Sequence, residues 1–183
     1  MFNIFKSKEQ VFEERFLVYM DDIYRTALRL TRSKDDAEDL AQETFLKAFE
    51  AFSQGTQVSS PKAWLFKIMN NTFINQRTSL AGRAESISLD DMPEIPHSET
   101  PEDVLMLKTA GNRLSRALRS MPEEYRLALL LCDSEELRYS EIAEIMQCPV
   151  GTVRSRISRA REMVKAAIYE NTENTKSAET QDQ

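Results

Sequence analysis

Apolar residues recur every three or four positions along most of the chain, the period of an α-helix that buries one stripe. Phe12, Phe16, Tyr19, Ile23, Ala27 and Leu30 form such a stripe and predict a helix over Gln10 to Thr31. Ser33 or Asp35 can cap a second helix ending near Phe52, which buries Ala37, Ala41, Phe45, Ala48 and Phe52. After the loop SQGTQVSS, Pro61 suits the first turn of a third helix, KAWLFKIMNNTFINQR, where a missing amide costs nothing. Further helices are predicted over Glu102 to Ser120, Pro122 to Cys132, Ser140 to Met146 and Val150 to Tyr169. Between the two sets, AESISLDDMPEIPHSET has two prolines and no helical period, and reads as a linker. The polar end NTENTKSAETQDQ reads as disordered.

The expected fold is therefore all-α, with two small helical domains (residues 1–80 and 102–170), a flexible acidic linker (81–101) and a disordered tail (171–183). With only 4 glycines and 6 prolines in 183 residues, little interrupts the helices. No apolar run approaches the ~20 residues of a membrane span, and the start MFNIFKSKEQ lacks a signal-peptide core. Cys132 and Cys148 have no metal-ligand spacing and suit a reduced cytosol, most simply as buried thiols.

The net charge of −6 would argue against nucleic acid, but the charge is segregated. Ala51 to Ala84 contains no acid and four bases, Lys62, Lys67, Arg77 and Arg83. Glu85 to Asp103 contains seven acids and no base. Arg154, Arg156, Arg159, Arg161 and Lys165 face only Glu162 within their stretch. Local charge, not the total, decides where a polyanion can bind.

The segment YSEIAEIMQCPVGTVRSRISRAREMV has the pattern of a helix-turn-helix. Ile142, Ala143, Ile145 and Met146 give its first helix an apolar face, and Cys148–Pro149–Val150–Gly151 make a tight turn. On the second helix Val153, Ile157, Ala160 and Val164 share the core stripe. Arg154, Ser155, Ser158 and Arg159 lie on the opposite side, as a helix reading the major groove requires. Arginine's planar fork can bond guanine or phosphate in bidentate fashion. Thr152 or the turn residues can start the second helix, and Gly151 and the first helical amides can meet a phosphate.

Two other surfaces remain open at this point. Asp39, Gln42, Glu43, Leu46 and Glu50 face outward from DDAEDLAQETFLKAFEAF, as a solvated acidic face or a protein-docking one. The third helix is apolar except for Lys67, Asn71, Asn75 and Thr78, with Trp64 nearby. That stripe is either a polar edge of a packed helix or a nucleic-acid contact, and the preceding loop can offer a pocket for an unstacked base. No catalytic constellation appears. The single histidine, His97, lies in the linker, and no cofactor or metal site is expected. An autonomous helix-turn-helix repressor and a protein-only helical adaptor are the competing readings.

The motifs DDAEDLAQETFLKAF, KAWLFKIMNNTFINQR, MPEEYRLALLL and YSEIAEIMQCPVGTVRSRISRARE, in this order, resemble bacterial sigma factors of the extracytoplasmic-function (ECF) group, sigma-E-like, over residues 10–168. The resemblance implies an alternative sigma factor, not an enzyme, that binds core RNA polymerase and directs promoter-specific transcription initiation. It assigns residues 1–80 to sigma region 2 and 102–170 to region 4. Asp39, Gln42, Glu43 and Leu46 would contact the clamp of the polymerase largest subunit. Lys67, Asn71, Asn75 and Arg77 would contact the −10 element, with a flipped base held by the loop Ser53 to Ser60. Gly151, Thr152, Arg154, Ser155, Ser158 and Arg159 would read the −35 element. It further implies a cognate anti-sigma factor and a cytoplasmic location, held at the inner membrane if that partner sits there. Three departures stand out: Ser158 where some members carry an aromatic, Cys132 where some carry an arginine, and an unusually acidic loop, DSEELRY.

Overall fold

The computed structural model describes residues 6–81 and 114–179, and among these every regular element is helical. Helix α1 spans Lys8–Phe16, α2 Met20–Thr31, α3 Lys34–Ser53 and α4 Pro61–Ala81. In the second half, α5 is described over 114–120. It is followed by α6 (Glu123–Leu129), α7 (Tyr139–Ile145) and α8 (Val150–Glu179). The acidic linker, His97 and the expected helical residues 102–113 lie outside the described residues.

The first predicted helix is in fact two. A 3-10 turn over Leu17–Tyr19 separates α1 from α2. The apolar stripe continues across it: Phe12, Phe16, Ile23, Ala27 and Leu30 are buried, while Tyr19 is only partly covered. Ser7 and Gln10 close a reciprocal capping box at the start of α1. Ser33 accepts from the Asp36 amide at 3.3 Å and starts α3, as the sequence suggested. Antiparallel α3 and α4 are tied by Gln76 to Glu43 (2.7 Å) and Lys47 to Thr72 (3.2 Å). Phe12, Phe16, Phe49, Phe52 and Trp64 pack together across α1, α3 and α4, mostly edge-on or tilted, with ring centroids 4.7–5.8 Å apart. Such pairs add about 0.5–1.5 kcal/mol each beyond the area they bury.

The second half does not stand apart from the first. Leu127, Ala128, Leu131, Leu137, Ile142, Ile145, Val153 and Ile157 belong to the same buried cluster as Phe12, Leu40, Phe66 and Met69. A smaller cluster, Met121, Leu129 and Ala160, packs α6 on α8. Arg126 of α6 is 1% exposed and bridges the halves. Its guanidinium donates to the Arg29, Leu30 and Met121 carbonyls at 3.2–3.4 Å. Two of these end α2, where the last turn has no helical amides to accept from. Burial, with Arg32 and Arg77 nearby, pushes the Arg126 guanidinium down to about 10.

Two further differences from expectation have local causes. Helix α6 ends in a π-helical turn over Leu130–Ser134, closed by the Glu135 amide on the Leu130 carbonyl at 3.1 Å. This wider turn and the left-handed Glu136 (φ 56°) swing Glu135 and Leu137 inward, to 5% and 8% exposure. Helix α8 continues to Glu179 through a stretch whose polarity suggests disorder. No Gly or Pro follows Gly151, so nothing in the covalent chain ends the helix.

Candidate nucleic-acid interface

On α8, Val153, Ile157 and Ala160 are at most 1% exposed, and Val164 is half-buried. That fixes the rotation of the helix, so Arg154, Ser155, Ser158 and Arg159 emerge on its solvent side. The Arg159 guanidinium lies 3.4 Å from the Tyr125 hydroxyl of α6 and donates to it. Ser155 donates to the Thr152 carbonyl at 2.9 Å. The turn before α8 is built by Thr152 and Val153 amides on the Pro149 carbonyl, at 2.9 and 3.2 Å. Gly151 is exposed, and a Cβ there would meet nothing within 4 Å, so the chain's own packing does not require glycine. Arg161, beside this face, pairs with Asp133 at 2.6 Å and is held charged by it, while the same contact keeps the Asp133 carboxyl below its ordinary range. Each free cysteine touches an α8 arginine: Cys132 lies 3.6 Å from Arg161, and Cys148 3.6 Å from Arg156. Burial and Asp133 push the Cys132 thiol up, away from reactivity.

On α4 the i, i+4 spacing places Lys67, Asn71 and Asn75 on one stripe. Lys67 and Asn75 are exposed. Asn71 is half-buried because Gln147, the left-handed residue after α7 (φ 50°), donates to its Oδ1 at 3.3 Å. Arg77 lies over the Phe73 ring and pairs with Glu123 of α6. The loop before α4 is held by Arg15 on the Val58 carbonyl at 2.9 Å, and Gly55 takes a left-handed turn (φ 96°) that favours glycine.

On α3, Asp39 and Gln42 are exposed, and Leu46 is 58% exposed. Glu43 is half-buried between Lys47 (2.6 Å) and Gln76 (2.7 Å), and the Lys47 contact keeps its carboxyl below the usual range. The structure thus gathers three solvent-facing sets, on α3, α4 and α8, and adds contacts from the α4 set to Glu123 of α6 and to Gln147 after α7 that no sequence period predicts. Among the described residues no group of acids, histidines and cysteines could hold a metal ion.

The chain matches the family models for sigma-70 region 2 over residues 16–83 and sigma-70 region 4 over residues 111–164. It is 36% identical over 149 residues to the ECF RNA polymerase sigma-E factor of Haemophilus influenzae, covering 76% of this chain and 79% of that relative. The chain belongs to the ECF group of sigma factors. It is also 35% identical over 162 residues to the ECF RNA polymerase sigma factor SigE of Mycolicibacterium smegmatis. That match covers 86% of this chain and 61% of the longer relative. Its fold is similar to the Bartonella quintana sigma factor RpoE solved in complex with the anti-sigma factor NepR. There the TM-score is 0.70 at 27% identity, over 86% of this chain and 96% of that one.

Sequence reasoning missed the residues that join the sigma factor's two halves. Asn70 is 4% exposed and donates to the Ile145 carbonyl at 2.9 Å. Glu135 accepts from Thr26 at 3.0 Å and pairs with Lys62 at 3.0 Å, while Lys62 also reaches Asp22 at 3.2 Å. The signal for Asn70 was present: a second asparagine inside an apolar run, one position off the exposed stripe.

Proposed function

We propose that this sigma factor docks on core RNA polymerase and selects promoters through two DNA-reading elements, with no chemistry of its own. The observation that carries this reading is the α8 geometry: a core-facing stripe fixes the helix, and Arg154, Ser155, Ser158 and Arg159 project from its free side. In this reading those four residues read the −35 element in the major groove. Gly151 and Thr152 admit a phosphate at the helix start, in space that the fold leaves open. Lys67, Asn71, Asn75 and Arg77 of α4 take the unpaired −10 strand, and the loop from Ser53 to Ser60 receives a flipped base. Binding unpaired bases better than paired ones would drive melting.

Asp39, Gln42 and Leu46, exposed on α3, together with Glu43 form the surface for the polymerase clamp in this reading. Residues 1–80 then work as region 2 and 102–170 as region 4, joined by the acidic linker. The similar RpoE was solved in complex with an anti-sigma factor, which supports a cognate anti-sigma partner here. Among the described residues no helix is long and apolar enough to cross a membrane. A cytoplasmic protein held at the inner membrane only through such a partner fits that observation.

The test is capture of core polymerase by the tagged sigma factor. The parent should retain polymerase, and Gln42→Ala should retain markedly less with unchanged circular dichroism. Equal capture by Gln42→Ala and by a Gln42→Ala/Leu46→Ala double variant would remove α3 from the polymerase interface.

A further inference from the structure

The fold treats the arginines of α8 in two ways. Arg156 and Arg161 flank the core stripe on its two sides, and each has an acid beside it. Arg156 lies 3.9 Å from Glu124, and Arg161 2.6 Å from Asp133. Each also reaches a cysteine sulfur at 3.6 Å. These two fasten α8 to α6 and to the turn that follows α6. Among the described residues, neither Arg154 nor Arg159 pairs with a carboxylate. Their charge remains open to a polyanion.

Arg159 is nonetheless held. Its Nη1 donates to the Tyr125 hydroxyl of α6 at 3.4 Å. Tyr125 is half-buried, and its ring packs on the cluster of Met121, Leu129 and Ala160. Ala160 is fully buried and follows Arg159 in the chain, so ring and arginine are fixed to the same point of the core. A tyrosine has only two side-chain torsions, and a packed ring leaves its hydroxyl little freedom. The chemistry of that acceptor matters. A carboxylate in its place would bond the guanidinium more strongly, but it would lower the positive charge that DNA meets. A hydroxyl leaves the charge intact. It also takes only one of five N–H donors, so the edge carrying Nε and Nη2 stays available for a bidentate contact.

We infer that Tyr125 is a positioning residue for −35 recognition: it sets the Arg159 guanidinium in its reading orientation before DNA arrives. The inference rests on the reading of Arg159 as a base contact. A free arginine loses its rotamer freedom on binding, whereas one already held loses less. The gain falls on the base pairs that Arg159 reads. A misplaced fork still meets phosphate, but it no longer matches the edge of a base. Tyr125 lies in MPEEYRLALLL, outside the helix-turn-helix, and thus governs sequence choice through another residue.

The experiment uses holoenzyme formed from core polymerase and the full chain. The template is a promoter that the parent holoenzyme transcribes, randomised across its −35 element. Sequencing the transcribed templates gives the preference at each base pair. Arg159→Ala should flatten the preference at a small set of base pairs, which marks the positions that Arg159 reads. Tyr125→Phe keeps the packed ring and removes only the hydroxyl. It should lower the preference at those same base pairs by about threefold to tenfold, leave the others unchanged and keep the parent's circular dichroism. The double variant should be no worse than Arg159→Ala alone, because the hydroxyl acts only through the arginine. An equal loss of transcription across all sequences in Tyr125→Phe would signify a phosphate contact or a packing role and overturn the inference. A double variant that loses the sum of both single effects would overturn it too. If Arg159→Ala leaves every preference intact, the reading of Arg159 as a base contact fails, and the inference fails with it. If Arg159→Ala flattens its base pairs but Tyr125→Phe does not weaken them, only the inference fails.

Discussion

The neighbouring asparagines Asn70 and Asn71 should respond oppositely to one substitution. Asn70 is 4% exposed and donates its amide to the Ile145 carbonyl at 2.9 Å. Asn70→Asp replaces that donor with a carboxylate facing a carbonyl. The ionised form would leave the carbonyl unsatisfied, at about 1–3 kcal/mol, and add the larger penalty of a buried charge. The carboxyl escapes this by staying protonated and donating its own O–H. Holding a proton at pH 7 against an ordinary pKa of about 3.9 limits the total cost to about 4 kcal/mol. The sign follows from the raised folded pKa: the penalty is present above the unfolded value and shrinks as pH falls toward it.

Asn71→Asp, one residue on, keeps the acceptor that Gln147 uses and should cost less than about 0.5 kcal/mol. It places a negative charge on the stripe proposed to read the strand instead. Hydrogen exchange read by mass spectrometry on α4 and α7 peptides checks both. Asn70→Asp should lose protection by up to about a thousandfold at pH 7, with recovery in refolding experiments near pH 5. Asn71→Asp should keep protection and lose binding to a −10 oligonucleotide. Equal protection in the two variants would refute the assignment of Asn70 to packing and Asn71 to recognition.

Arg159→Ala should weaken −35 duplex binding by about 1–3 kcal/mol and relax sequence preference if the arginine bonds a base in bidentate fashion, measured by competition with scrambled duplex. Ile157→Ala, at 1% exposure, should destabilise the sigma factor by about 2–5 kcal/mol in urea titration and reduce DNA binding only through lost folded protein. Glu141 accepts from the Arg138 amide at 3.0 Å, and that bond, with further help from the Arg138 side chain and Ser60, holds its carboxyl below its ordinary 4.5. Its stabilising effect is therefore fully present above that value and lost below it, as pH falls through the lower pKa of the folded state. Glu141→Gln should cost about 1 kcal/mol at pH 7 and progressively less as pH falls below 4.5, read from denaturation midpoints.

Much of the fold was legible because burial along a helix has a period. Val153, Ile157 and Ala160 announce the rotation of α8, and Ser33 and Pro61 announce two helix starts. What could not be read was non-local or broke the period. The 3-10 turn at Leu17–Tyr19 leaves the apolar spacing nearly intact while splitting one helix into two. The π-helical turn at Leu130–Ser134 rotates Glu135 inward by an offset that composition does not encode. Arg126 reads as a surface base of an amphipathic helix, yet it caps a helix of the other half. The candidate DNA residues were recognisable one by one from type and spacing. That Gln147 would meet Asn71 depends on how two halves far apart in sequence come together.

The central claim is that this sigma factor lends promoter choice to a polymerase. Transcription by core polymerase with and without the purified protein on genomic DNA fragments, with 5′ ends sequenced, tests it directly. The account predicts new start sites that share upstream −35 and −10 elements, and that vanish together with Gln42→Ala and shift or weaken with Arg159→Ala. Transcripts unchanged by the protein, with tight binding to duplex DNA in the absence of polymerase, would contradict it and favour an autonomous DNA-binding regulator.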